Sequence, residues 1–277
     1  MKTQKVVGYC SNWITQESLK SQIEGYTHVI FSFWISPEDG VLGAAEAAAN
    51  DPELIQYVKS LGKKCILAAG GETYNPNVTD SAQAREYGLA LAKYALEYGY
   101  DGVDFDIENI TASEALNWLS EATVTAAEYS SEQGEKLIIS HAPQGPYFPE
   151  YSKLEELTHG YIDFYNIQYY NQGAWEYQAY ESFEMLFPLK YQNISNPTSI
   201  ESIASQGVPP EKIVLGKPIT ENDLSSSGFI PLDQLVVIIR QAQSKNIAFG
   251  GVMGWKIDSD IDGLWGRTIA ATLNTAS

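Results

Sequence analysis

Positive charge is scarce in this 277-residue chain: 17 Lys and Arg stand against 35 Asp and Glu, a formal charge of −18. A surface of that sign repels phosphate backbones and anionic lipid, which argues against nucleic acid and membrane partners and favours a neutral ligand. Cysteine is nearly absent. Cys10 and Cys65 fall on the first and third predicted strands, near opposite ends, so two buried thiols are expected rather than a disulfide. His, Cys and the carboxylates show no zinc spacing, and no metal or cofactor is expected. The run Asp258-Ser-Asp-Ile-Asp-Gly263 opens like a calcium loop, but Ile269 stands at the twelfth position where a bidentate acid is needed; these acids are read as caps of the last helix. No stretch approaches the roughly 20 apolar residues of a membrane span. Residues 1–5 lead into the first strand with no apolar leader, so synthesis without a secretory signal stays open.

What is present is ordinary globular material, 44% hydrophobic and 19% charged, so a folded core and not disorder is expected. Aromatic residues reach 12%, with 18 Tyr and 6 Trp, more than a core of this size needs. Short β-branched or aromatic runs alternate with longer amphipathic stretches. Strands are predicted at 5–10, 27–34, 64–69, 102–108, 136–141, 164–169, 212–217 and 248–255, with helices at 81–98, 113–132 and 232–245 among them. Eight strand-then-helix units in one chain of this length predict a TIM (β/α)8 barrel over residues 1–277, a single catalytic domain. A doubly wound open sheet is the weaker choice, because no Gly-rich phosphate loop follows the first strand. The longest connection, 171–197, carries Trp175, Tyr177, Tyr180, Phe183, Phe187 and Tyr191, and either walls a cleft or packs as an extra helix.

The most informative run is Asp101-Gly-Val-Asp-Phe-Asp-Ile-Glu108. Side chains alternate along a strand, so Asp104, Asp106 and Glu108 share one face with Gly102, while Val103, Phe105 and Ile107 take the other. A parallel barrel strand is buried on both faces, and unpaired buried charge costs several kcal/mol. Sharing protons relieves that cost and raises at least one pKa towards neutrality, which is the property a general acid needs.

Residues 101–108 resemble the signature of glycoside hydrolase family 18, Asp-X-X-Asp-X-Asp-X-Glu at the end of the fourth barrel strand. Leu67-Ala-Ala-Gly-Gly71, Ala142-Pro143-Gln144, Gln168-Tyr-Tyr-Asn171 and Gly251-Val-Met-Gly-Trp255 resemble the motifs ending strands three, five, six and eight. The last three are most similar to the compact hevamine-type chitinases. The resemblance implies hydrolysis of β-1,4 linkages in chitin or N-acetylglucosamine oligosaccharides, by a substrate-assisted retaining route. In that scheme Glu108 protonates the leaving oxygen, Asp106 orients the acetamido group, and Asp104 holds Asp106. Tyr170 bonds the acetamido oxygen, Gln144, Gln168 and Asn171 are polar contacts, and Trp255 floors the −1 sugar. Tyr9, Phe33, Trp34 and Tyr147 are candidate subsite walls.

Two departures from the family pattern carry expectations. Where the family commonly has Ser at the start of the strand-three motif, this chain has Ala68, leaving Asp104 short of a donor unless Ser32 replaces it. Only about 30 residues separate strands seven and eight, too few for the α+β insertion of many family members, so an open groove and internal cutting are expected. An endo-β-N-acetylglucosaminidase on N-glycan cores and a non-catalytic chitin-binding barrel are the alternatives. The Tyr170-Asn171 pattern favours chitin, and Glu108 argues against a lectin. The family implies secretion, and a monomer is expected.

Overall fold

The computed structural model describes residues 4–108, 113–147, 150–173 and 178–274. Eight parallel strands form the barrel: β1 (Lys5–Cys10), β2 (His28–Ser36), β3 (Lys64–Gly70), β4 (Gly102–Asp106), β5 (Ile138–His141), β6 (Phe164–Gln168), β7 (Ile213–Pro218) and β8 (Gly251–Trp255). Each pairs with its sequence neighbours, and β1 pairs with both β2 and β8, which closes the ring and leaves no free barrel edge. The expected TIM barrel is the observed one.

Alternation along the strands sorts the apolar residues into two cores. Val7, Ile30, Ile66, Phe164, Val214 and Met253 fill the lumen. Their odd-parity neighbours, such as Phe31, Leu67, Val103, Ile167 and Leu215, pack outwards against the helices. Two long helices brace the wall behind the acidic strand, Ser81–Tyr98 and Ser113–Glu132, each spanning its predicted range. Asp80 caps the first by accepting from the amides of Ala82 and Gln83, and Gly99 ends it in a left-handed conformation at φ 82°. Gly88 lets the pair close: a Cβ there would lie 2.1 Å from the Ala122 carbonyl oxygen. Gly102 plays the same part inside the barrel, where a Cβ would lie 2.4 Å from Ile138 O.

Several expectations change in detail. β4 stops at Asp106 instead of 108, because Gly70 is the last β3 partner and His141 the last on β5, so Glu108 stands on the loop above the ladder. β2 runs on to Ser36 through a bulge, where Gly40–Val41 adds an antiparallel bridge. Between β7 and β8 lie only a short 3-10 turn (Glu221–Asp223) and the helix Leu232–Ser244, with no inserted subdomain.

Segment 171–197 mostly packs as outer core: Tyr180, Phe183 and Phe187 are buried around the short helix Phe183–Leu186. Trp175 and Tyr177 lie outside the described residues. Of the C-terminal acids, Asp260 does serve the last helix (Leu264–Asn274), accepting from the amides of Trp265 and Gly266. Asp258 does not; it ties the loop after β1 by accepting from the amides of Ser11 and Asn12. Both cysteines are free and buried. Among the described residues no helix is long and apolar enough to cross a membrane.

Candidate active site

At the C-terminal ends of the strands lies a cleft of about 430 Å³ that gathers Asp106, Glu108, Gln168, Tyr170 and Trp255 from three different strand ends. A wider hollow of about 590 Å³ opens at the opposite end of the barrel, beside Lys59, Lys93, Glu97 and Tyr129, and holds no part of the acidic motif. Chemistry on this fold belongs to the former, where loops project from the strands.

Asp104 is the deepest of the carboxylates and fully buried. Burial raises its pKa to about 6, opposed by hydrogen bonds from Ser140, Tyr9 and Asn166. Ser140 Oγ donates to Oδ1 at 2.5 Å, Tyr9 OH to Oδ2 at 2.7 Å, and Asn166 Nδ2 to Oδ1 at 3.3 Å. The donor missing at Ala68 is therefore supplied, but from the other side. Ala68 and Ser140 are the register partners of Asp104 on β3 and β5, so the hydroxyl has moved across the strand. Ser32 does not take the role: its hydroxyl donates to the Cys10 carbonyl at 2.8 Å.

One layer up, Asp106 is pushed well above the usual carboxylate range, first by burial and then by the charges of Glu108 and Asp104. Glu108 is half-buried at the cleft mouth, and its pKa is also raised, first by burial and further by Glu72, while bonds from Gln168, Asp106 and Gln144 oppose the rise. Asp106 and Glu108 titrate as a pair, each raised first by burial and each sensing the other's carboxyl. Gln168 straddles the pair, its Nε2 3.0 Å from Asp106 Oδ1 and 3.3 Å from Glu108 Oε1, and it also donates to Ala142 O at 2.9 Å. Gln144 Nε2 donates to Glu108 Oε2 at 2.8 Å. Among the described residues every donor to the three acids is neutral.

The aromatic candidates divide. Trp255 and Phe33 line the cleft, with ring centroids 6.3 Å apart and a tilt of 32°, and Tyr170 lines it from β6's end. The Ser32–Phe33 and Trp255–Lys256 peptides beside these two rings are cis. Tyr9 reaches the cleft, but its hydroxyl is engaged with Asp104. Trp34 is no wall: it is 3% exposed and packs edge-on against Tyr87, 5.0 Å away in the helical layer, because the bulge in β2 turns it outwards. The Tyr147 side chain lies outside the described residues. Asn171 borders the cleft, yet its Oδ1 accepts from the amides of Ser225 and Ser226 at 2.8 and 3.2 Å, so it orders the loop after β7.

Sequence reasoning missed Ser140, Asn166 and Glu72. The first two follow from a rule already in use. Counting back by two from Ala142 gives Ser140, and from Gln168 gives Asn166, both lumen-facing positions. Glu72 sits on a loop, where no periodicity points.

The Glycosyl hydrolases family 18 profile matches residues 5–229. The chain belongs to this family. A chitinase of Enterococcus faecalis is 24% identical over 226 residues, 75% of this chain and 63% of its own length. An acidic endochitinase of Vitis vinifera is 26% identical, covering 79% of this chain and 72% of its own. This chain thus spans about two thirds of the length of these relatives. A GH18 chitinase from Pseudoalteromonas aurantia superposes with a TM-score of 0.74 at 25% identity, over 97% of this chain and 99% of that one.

Proposed function

We propose that this family 18 protein is a chitinase that hydrolyses β-1,4 linkages between N-acetylglucosamine units with retention, using the substrate's acetamido group as nucleophile. The observation that supports it is the pairing of Asp106 with Glu108. A carboxyl that is buried, engaged by Gln168 and crowded by a second carboxyl is a poor nucleophile, and Asp106 is such a group. Glu108, at the mouth and with a raised pKa, is suited to give up a proton.

With a sugar in the cleft, the proton shared by the Asp106–Glu108 pair sits on Glu108, leaving Asp106 ionised. Glu108 delivers it to the glycosidic oxygen as the C1–O bond breaks. The acetamido carbonyl oxygen closes on C1 to form an oxazolinium ion. Water then adds to C1, its proton passing to the Glu108 carboxylate, and the ring reopens to the acetamide. Asp106 faces the acetamido nitrogen and stabilises its developing charge, while Asp104 supports Asp106 from beneath. Tyr170 steadies the acetamido oxygen and Trp255 stacks under the ring. The endochitinase relative and the missing insertion favour cutting inside the polymer.

Wild type and Glu108→Gln are incubated with chitotetraose and, separately, with a high-mannose glycopeptide. Cleavage of chitotetraose alone, falling roughly 1000-fold in the variant, is the expected result. Cleavage of the glycopeptide core would replace chitin as the substrate, and binding without turnover by wild type would make this barrel a lectin.

A further inference from the structure

Lys217 is the only fully buried lysine among the described residues, and nothing in the scheme above uses it. Its position on β7 explains where it points. Val214 and Gly216 turn into the barrel, so Leu215 and Lys217 turn out, towards the layer covered by segment 171–197. There, among the described residues, no carboxylate lies within ion-pair distance of the ammonium. It donates instead to two backbone carbonyls, Tyr169 O at 2.7 Å and Tyr180 O at 2.9 Å.

The first of these carbonyls belongs to the peptide bond between Tyr169 and Tyr170. β6 ends at Gln168, and on one side of this peptide the Tyr169 amide keeps a long 3.3 Å bond to Gly216 O. On the other, the Tyr170 carbonyl accepts from Gln172 Nε2 at 2.9 Å and the Asn171 amide donates to Ser227 O at 2.7 Å, so Lys217 holds the carbonyl between these anchors. Tyr180 lies across the segment in a left-handed conformation at φ 55°, its ring 4.9 Å from that of Tyr169, and both hydroxyls meet Thr198. From the far side Gly228 presses on the Tyr170 backbone, where a Cβ would lie 2.6 Å from Tyr170 Cα, and the Gly228 amide donates to Glu181 at 2.9 Å. Lys217 thus staples the start of the loop to its return, with Tyr170 carried between.

We propose that Lys217 is a positioning residue for Tyr170: by holding the Tyr169 carbonyl it fixes the peptide that aims the Tyr170 ring into the cleft. The inference rests on the reading of Tyr170 given above. Burial draws the lysine pKa down to about 7, with Glu181 opposing. Both protonation states serve, since an ammonium has three N–H donors and a neutral amine two, enough for two carbonyls. A misplacement of about 1 Å at a substrate-orienting group costs on the order of 10–100-fold in rate, so the staple is expected to show in kcat.

The test is a double-mutant cycle on chitotetraose with Lys217→Met, Tyr170→Phe and the pair, each assayed well below its Tm. Lys217→Met is expected to lower kcat roughly tenfold and to add less than twofold once Tyr170→Phe is present. An unchanged kcat despite a lowered Tm, or effects that multiply, would make Lys217 a structural residue only and overturn the proposal. If Lys217→Met does not fold, the ¹⁵Nζ resonance of the exchange-protected lysine is followed in Glu108→Gln during titration with chitotetraose, and must shift; a resonance that stays still while the sugar binds overturns the proposal equally. Wild-type cleavage dependent on Glu108 is scored first, so failure of the chitinase reading is seen separately from failure of the staple.

Discussion

Asp101 and Asp104 stand three residues apart on one barrel stave and live under opposite rules. Asp101, at the N-terminal end, has Lys64 at 3.4 Å and Lys59 at 3.8 Å, and its Oδ2 accepts from the Cys65 amide at 2.9 Å. Asp104, Asp106 and Glu108, towards the other end, have no cation among their hydrogen-bond partners in the described residues. Their stabilisation comes from Ser140, Tyr9, Asn166, Gln144 and Gln168. Ion pairs to two lysines and a bond from the Cys65 amide tie Asp101 between neighbouring strands, which suits a brace. Neutral donors only partly offset the rise that burial gives the other acids, which suits a proton-transfer site. One signature therefore contains a structural acid and three acids with chemistry open to them.

The comparison breaks first at Asp106. Asp106→Asn keeps the shape but cannot ionise opposite the developing charge, and kcat on chitotetraose is expected to fall roughly 100-fold while oligosaccharide binding, followed by calorimetry, persists. A variant as fast as wild type would remove Asp106 from the chemistry.

Ser140 sharpens it next. Its hydroxyl lowers the pKa of Asp104, so Ser140→Ala should raise the proton affinity of that carboxyl roughly tenfold, read by ¹³C NMR of the carboxylate. Ala68→Ser in the same background faces Asp104 from the other register partner and should bring the titration back down. Ser32→Ala, by contrast, should leave the pH–activity profile unmoved, since that hydroxyl is bonded to Cys10.

A smaller effect is expected at Glu72. Its charge raises the pKa of Glu108, which keeps its proton to higher pH than an ordinary glutamate and loses it, with activity, as pH rises through that pKa. Glu72→Gln lowers the pKa and should move the alkaline limb of kcat to lower pH. The side chain is exposed, so solvent screening keeps the displacement small.

The smallest effect on turnover belongs to Asp101. Asp101→Asn is expected to leave kcat unchanged and to cost about 1 kcal/mol in urea unfolding, the scale of one partly exposed ionic hydrogen bond. A loss of activity in a variant of undiminished stability would erase the distinction between the two ends.

Much of this was legible beforehand because it depends on local periodicity. Alternating parity placed Asp104 and Asp106 in the lumen, and the helical pattern bounded 81–98 and 113–132. Trp34 was named with Phe33 only because both sit at a strand end; neighbours on a strand face opposite ways, and the bulge in β2 decides that Phe33 enters the cleft while Trp34 turns out. Asn171 lines the cleft, and its amide oxygen also accepts from Ser225 and Ser226, more than fifty residues away in the chain, a tie that no local pattern reveals.

The sequence by itself determined which groups are chemically special, since a row of acids among apolar neighbours with no interleaved cation can be read from residue order alone. Only the tertiary structure decided how those acids are held. Barrel closure brings β1, β5 and β6 around Asp104, so its donors come from residues 36 to 95 positions distant. A hydrogen bond across strands depends on register and on which strand is the neighbour, and neither is a property of any short stretch of chain.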